Sequence, residues 1–228
     1  MLIPSIDLMG RRIVQLVQGE KLKLAFDDFD YWIERFSAYL MVQLIDLDAA
    51  MRQGDNAALI EKIAKRLPCQ VGGGIATVER AKQILAAGAR RVIFGSALFS
   101  GENTVGMVNV DLASDIQKSI GSDQFVASID TKQGQVAVKG WKEQAALTPQ
   151  QAIAALNPFC GAFLYTHVDR EGTMQGFPLE IARQLRALTE RQLIVAGGIR
   201  EQAEIDTLHQ MGVDAVSGMA VYTGAVAT

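Results

Sequence analysis

Two aspartates close nearly identical words in this chain: Asp7 ends "PSID" and Asp130 ends "ASID". Each follows a short apolar run, so each is expected at the C-terminal end of a buried strand. Two such carboxylates facing one another can serve as general acid and general base, provided their surroundings separate their pKa values. Aspartate is also an ordinary turn and capping residue, but duplication at two strand ends favours acid–base work. A second kind of chemistry is suggested by glycines. "VGGGIATVERA" (residues 71–81) and "VAGGIREQAEI" (195–205) each read as an apolar run, paired glycines and a helix. Gly73, Gly74, Gly197 and Gly198 would let backbone N–H groups approach an anion, with a helix N-terminus adding a favourable dipole. A lone pair of glycines would merely end a strand. Their return in register, with Gly95 and Ser96 in "VIFGSALFSG" answered by Gly218 and Met219 in "AVSGMAVYTG", predicts two phosphate sites. The matching ligand is a small molecule with a phosphate at each end.

Other candidates lie near these. In "LYTHVDREGTMQG", Thr166 is expected near the mouth of the site as a hydrogen-bonding partner, and Asp169 begins a glycine-bearing loop that could cover it. Asp48 holds the equivalent place in the first half, and for both the choice is between bracing a loop and direct contact with a ligand. Trp141 follows "QVAVKG", a run that can fold over as a loop hairpin. Its ring would either stack on a flat substrate or pack on the rim. His167 alternates away from Thr166 and reads as an outer-layer side chain, and His209 as a helix-surface one. No His cluster, reactive-looking cysteine or Gly-x-Ser-x-Gly elbow supports metal or nucleophile chemistry, so neither metal nor cofactor is expected.

The elements that must hold these residues are strands alternating with helices. Apolar runs "MLIPSI", "MVQLI", "CQV", "RVIFG", "FVASI", "AFLYT", "LIVAG" and "DAVSG" are separated by helix-like stretches such as 56–66, 78–88, 148–157 and 201–211. Continuous apolar strands between helices imply a parallel sheet buried on both faces. Eight of them imply a (β/α)₈ barrel. Asp7 matches Asp130 at an offset of 123, Gly73 matches Gly197 at 124, and Gly95 with Gly218 and Gly101 with Gly224 both at 123. The chain therefore reads as one barrel domain, 1–228, made of duplicated half-barrels of about 1–121 and 122–228. The paired glycines then fall in loops at the C-terminal face, where strand ends also present Asp7 and Asp130.

Composition narrows the class. The 228 residues are 49% hydrophobic and 21% charged with a formal net charge of −3, which offers no basic footprint for nucleic acid. No stretch of 18 apolar residues and no basic leader segment is present, so a cytoplasmic protein without membrane association is expected. Cys69 and Cys160 sit in apolar surroundings and read as buried reduced thiols. A monomer is expected.

Taken together, "IPSIDLMGRRIVQLVQG", "LIDLDAA", "QVGGGI", "SIDTKQGQVAVKGW", "DREGTMQG" and "AGGI" resemble the ProFAR isomerase family of histidine biosynthesis (phosphoribosylformimino-5-aminoimidazole carboxamide ribotide isomerases) over nearly the whole chain. "LVQG" and "VAVKGW" look like the isomerase and not like the sibling cyclase. The resemblance implies a cofactor-independent Amadori rearrangement of an aminoaldose to an aminoketose, converting ProFAR to PRFAR. It implies Asp130 as the acid that opens the ribose ring, Asp7 as the base that removes the C2′ proton, Thr166 as a positioning group and Trp141 as a substrate contact from a mobile loop. It also implies arginine, histidine and arginine where this chain has Gln15, Gln43 and Ala76, and a final helix for which "YTGAVAT" leaves little room. Two other readings share these residues: an isomerase that also accepts phosphoribosylanthranilate, and a barrel that binds phosphorylated metabolites without turnover.

Overall fold

The eight apolar runs form eight parallel strands, Leu2–Met9, Val42–Asp46, Cys69–Gly72, Arg91–Phe94, Phe125–Lys132, Ala162–His167, Gln192–Ala196 and Val213–Ser217. The first pairs with the eighth through Leu2↔Ala215, and the fifth with the sixth through Thr166↔Asp130, so the sheet closes on itself as a (β/α)₈ barrel. The structure is a computed structural model that describes residues 1–99 and 107–226. Gly101, one anchor of the repeat, lies outside the described residues.

Strand alternation divides the apolar residues between two cores. In the first strand Ile6 and Leu8 point outward into the layer shared with the helices, while Ile3 joins Ile93, Val126, Leu164, Ile194 and Val216 inside the barrel. Ser5 and Asp7 share the inward face with Ile3 and line the cavity above it. One residue of slip in that strand would bury the aspartate among the helices.

The outer helices are Phe29–Phe36, Ala57–Ala64, Val78–Ala86, Val110–Ile120, Pro149–Leu156, Leu179–Arg186 and Gln202–Gln210, close to the stretches read from sequence. Several begin with a side-chain cap: Asp28, Thr77 and Asn109 each accept from an amide three residues on, and Thr148 forms a capping box with Gln151. After the eighth strand the described chain makes only one helical turn, Met219–Tyr222. Tyr222 stacks on Phe26 at 5.3 Å and lies 4.4 Å from Trp32, joining an aromatic cluster against the first outer helix.

Two hairpins rise from the C-terminal face. The one after the fifth strand pairs Gln135–Val138 with Glu143–Gln144, as the "QVAVKG" run suggested. The other, Arg12–Val17 with Lys21–Phe26, pairs antiparallel with the first strand and has no counterpart in the reading from sequence.

Candidate active site

A cavity of about 1020 Å³ opens at the C-terminal ends of the strands. Asp7 and Asp130 both line it. Two residues before each stands a serine on the same inward face, and each serine donates to its aspartate: Ser5 Oγ to Asp7 Oδ1 at 2.8 Å and Ser128 Oγ to Asp130 Oδ1 at 2.9 Å. Beyond that the two diverge. Trp141 Nε1 donates to the second oxygen of Asp130 at 2.8 Å. Asp7 is pushed up to about 6 by burial, with the Ser5 hydroxyl pulling it partly back. Thr166 is buried beside Asp130 in the strand register and lines the cavity.

A third carboxyl, Glu171, lines the same cavity. Burial raises it from 4.5 to about 8, and the Asp7 and Asp130 charges raise it further within that total. It therefore holds its proton at neutral pH. Reading the sequence missed it, although it sits in the "DREGT" loop expected to cover the site; its acidic side chain among glycine and threonine was the available signal.

Three loops interlock above the carboxyls. The Gln18 amide donates to the Glu171 carbonyl at 2.9 Å, and Gln18 Nε2 to the Asp169 carbonyl at 2.8 Å. A Cβ on Gly172 would lie 2.2 Å from the Leu16 carbonyl oxygen, and one on Gly19 would lie 2.7 Å from the Trp141 ring. Trp141 itself adopts φ 67°, in the left-handed region that a bulky residue seldom visits.

Gly73, Gly74, Gly95, Ser96, Gly197, Gly198, Gly218 and Met219 all line the cavity wall. The glycines at the ends of strands three and seven have a packing reason as well. A Cβ on Gly73 would fall 2.2 Å from the Asp46 carbonyl oxygen, and one on Gly197 2.4 Å from that of His167. Asp46 and His167 are the last residues of the preceding strands, so the same close approach recurs in both halves. Ser96 Oγ accepts from the Lys139 amide at 2.9 Å. Gln15 lies buried with its Oε1 against Gly218, where an added Cβ would meet it at 2.1 Å. Gln43 and Ala76 also face the cavity.

Asp48 and Asp169 are not among the lining residues. Asp48 Oδ2 accepts from the Gly10 amide at 2.8 Å, and Asp169 Oδ2 from the Gln133 amide at 2.8 Å. Each braces the loop after the first strand of its half. His167 points away from the cavity, 6.3 Å from the Phe177 ring, and His209 lies exposed on its helix. Cys69 and Cys160 are free and buried, and burial pushes both thiols up to about 12. Among the described residues no group of three or more His, Cys, Asp or Glu is arranged to hold a metal ion, and no helix is long and apolar enough to cross a membrane.

A family model described as "Histidine biosynthesis protein" matches residues 1–227. Several curated relatives carry the name 1-(5-phosphoribosyl)-5-((5-phosphoribosylamino)methylideneamino)imidazole-4-carboxamide isomerase. The one from Methanocaldococcus jannaschii is 33% identical, with 99% of this chain and 94% of the relative covered. The one from Deinococcus radiodurans is 32% identical over 97% of this chain and 93% of the relative. That from Methanosarcina acetivorans is 33% identical over 97% and 92%.

Proposed function

The chain belongs to the histidine biosynthesis protein family, and from that premise we propose that it is the aldose–ketose isomerase named in those relatives, converting ProFAR to PRFAR. The observation that carries this reading is a pair of carboxyls with separated acidities in one cavity: Asp7 at about 6 and Glu171 at about 8. At neutral pH the first is mainly a base and the second an acid, which is the division of labour the reaction needs.

A proton delivered to the ribose ring oxygen breaks the C1′–O bond as the nitrogen lone pair forms a C1′=N iminium. Asp7 then removes the C2′ proton, and that C–H electron pair becomes the C1′=C2′ bond of an enaminol. Loss of the hydroxyl proton and protonation at C1′ give the aminoketose. Two carboxyls are available for the first step: Asp130, which accepts from both Ser128 and Trp141, and Glu171. Glu171 already carries a proton. We therefore assign delivery to Glu171, with Asp130 holding Trp141 over the substrate. Thr166, beside Asp130, positions the opened sugar.

The walls formed by Gly73, Gly74, Gly95 and Ser96 and by Gly197, Gly198, Gly218 and Met219 receive the two phosphates. Lys132, Lys139, Lys142 and Arg52 at the same cavity add positive charge. The proposed reading includes a monomer and a cytoplasmic setting, which fits a small-molecule biosynthetic reaction. The test is a spectroscopic assay of ProFAR conversion by the purified chain, run alongside phosphoribosylanthranilate. Turnover of the first is expected. Binding of ProFAR without turnover would replace this reading with the non-catalytic one.

A further inference from the structure

One side of the barrel interior carries a ladder of polar side chains that the reaction scheme above leaves unused. It starts at the bottom of the barrel, where the Met1 amine pairs with Asp214. Gln192 Nε2 donates to Asp214 at 2.6 Å, and its Oε1 accepts from Arg91 Nη1 at 2.5 Å. Arg91 Nη2 donates to Gln70 Oε1 at 2.8 Å, and Gln70 Nε2 donates to Gln43 Oε1 at 3.0 Å. Gln43 lines the cavity floor.

The direction of this ladder is fixed by chemistry. A guanidinium has only donors, so the Gln70 oxygen must face Arg91 and its nitrogen must face Gln43. Gln43 must then turn its oxygen down to Gln70, which leaves its Nε2 N–H groups for the cavity. Arg91 thereby sets the polarity of a side chain it does not touch. The ladder also breaks the barrel's approximate two-fold symmetry. At the matching places in the second half stand Leu164, Ile194 and Asp214, the first two packed in the apolar interior. Gln43 is the register partner of Ser5, the residue that donates to Asp7, whereas Leu164 is the partner of Ser128, which donates to Asp130. The cavity floor thus offers a donor on the Asp7 side and a hydrocarbon on the Asp130 side.

We propose that Gln43 is a substrate-positioning donor: its N–H holds a sugar oxygen of the arm that lies over Asp7, and Gln70 and Arg91 are positioning residues that keep that N–H turned inward. This rests on the reading of the cavity as the site of a two-armed phosphorylated substrate. In a cavity whose two phosphate walls are alike, the single-sided donor decides which arm is presented to the base. A ligand bound the other way round places its sugar oxygen over Leu164, with no partner.

The experiment compares four purified proteins with ProFAR: parent, Gln43→Leu, Gln43→His and Gln70→Glu, each checked for folding by thermal melting. Leucine at 43 copies the side chain that the second half already accommodates. Histidine can accept from Gln70 with one ring nitrogen and donate into the cavity with the other. Glutamate at 70 can satisfy Arg91 but cannot donate, so Gln43 turns round and presents its oxygen. Expected are losses in kcat/KM of about tenfold to a hundredfold for Gln43→Leu and Gln70→Glu, with Gln43→His within about fivefold of the parent. Folded Gln43→Leu and Gln70→Glu proteins within twofold of the parent would overturn the proposal. Loss in Gln43→Leu alone would overturn the part assigned to Gln70 and Arg91. If the parent itself fails to turn ProFAR over, the functional reading falls and this inference with it.

Discussion

Replacing Glu171 by glutamine should make the protein more stable and less active, for one physical reason. In the unfolded chain the glutamate titrates at 4.5, and in the folded protein at about 8. The native state therefore binds the proton more tightly, and stability falls as pH rises from the lower value to the higher. The full shift corresponds to roughly 5 kcal/mol, and at pH 7 the native group keeps a proton that the unfolded one has lost, at a cost of about 3 kcal/mol. Glu171 is only partly buried, and the side that faces the cavity meets water, so a measured gain of about 1–3 kcal/mol is expected at pH 7. At pH 5 the gain should shrink below about 1 kcal/mol, because the unfolded group is then partly protonated too. Glutamine keeps the size and hydrogen bonds of the protonated acid but has no proton to deliver, so kcat should fall by about 10²–10⁴-fold. Urea unfolding of both proteins at pH 5 and pH 7, with the isomerase assay, reads both effects. A stability difference that is absent, or the same at both pH values, would show that Glu171 is an ordinary solvated carboxylate. The assignment of proton delivery to it would then fail as well.

Asp7→Asn should lower kcat by about 10²–10⁴-fold while leaving substrate affinity near the parent value, measured by steady-state kinetics beside direct binding. Ser5→Ala removes the hydroxyl that pulls Asp7 down, so the acidic limb of the kcat/KM profile should move to higher pH; an unmoved limb would remove Asp7 as the base. Trp141→Phe keeps the ring but deletes the donor to Asp130, and kcat/KM should drop by about tenfold. Gly197→Ala would place a methyl 2.4 Å from the His167 carbonyl oxygen at φ 109° and should destabilise the fold by about 3 kcal/mol or more in urea.

The barrel and the aspartate pair were legible in the sequence because duplication repeats them: Asp7 and Asp130 each follow a small polar residue and an isoleucine at the end of an apolar run. What broke the repeat was hard to read. Glu171 falls opposite Ala50, so no echo marks it, and only its burial beside two other acids reveals its altered acidity. Gln43 and Gln70 sit within short apolar strands, where a single amide looks like a tolerated exception until its hydrogen bonds are traced. The hairpin at 12–26 interrupts the strand–helix alternation, and its pairing with the first strand exists only in three dimensions. The glycine phrases read as anion-binding turns; that Gly73 and Gly197 also lie against carbonyls of the preceding strands could not be seen in the sequence.

The interlock above the carboxyls also says something about how such a barrel could arise. Gln18 and Gly19 come from the first half, and Trp141, Glu171 and Gly172 from the second. Two copies of residues 1–121, assembled symmetrically, would bring two serine–aspartate pairs and two glycine walls, and so the means to hold a two-armed ligand. They would bring glutamine where Trp141 stands and alanine where Glu171 stands. With proton delivery assigned to Glu171, such a dimer would be a receptor without its proton donor, and the step from receptor to catalyst would lie in the residues by which the second half ceased to copy the first.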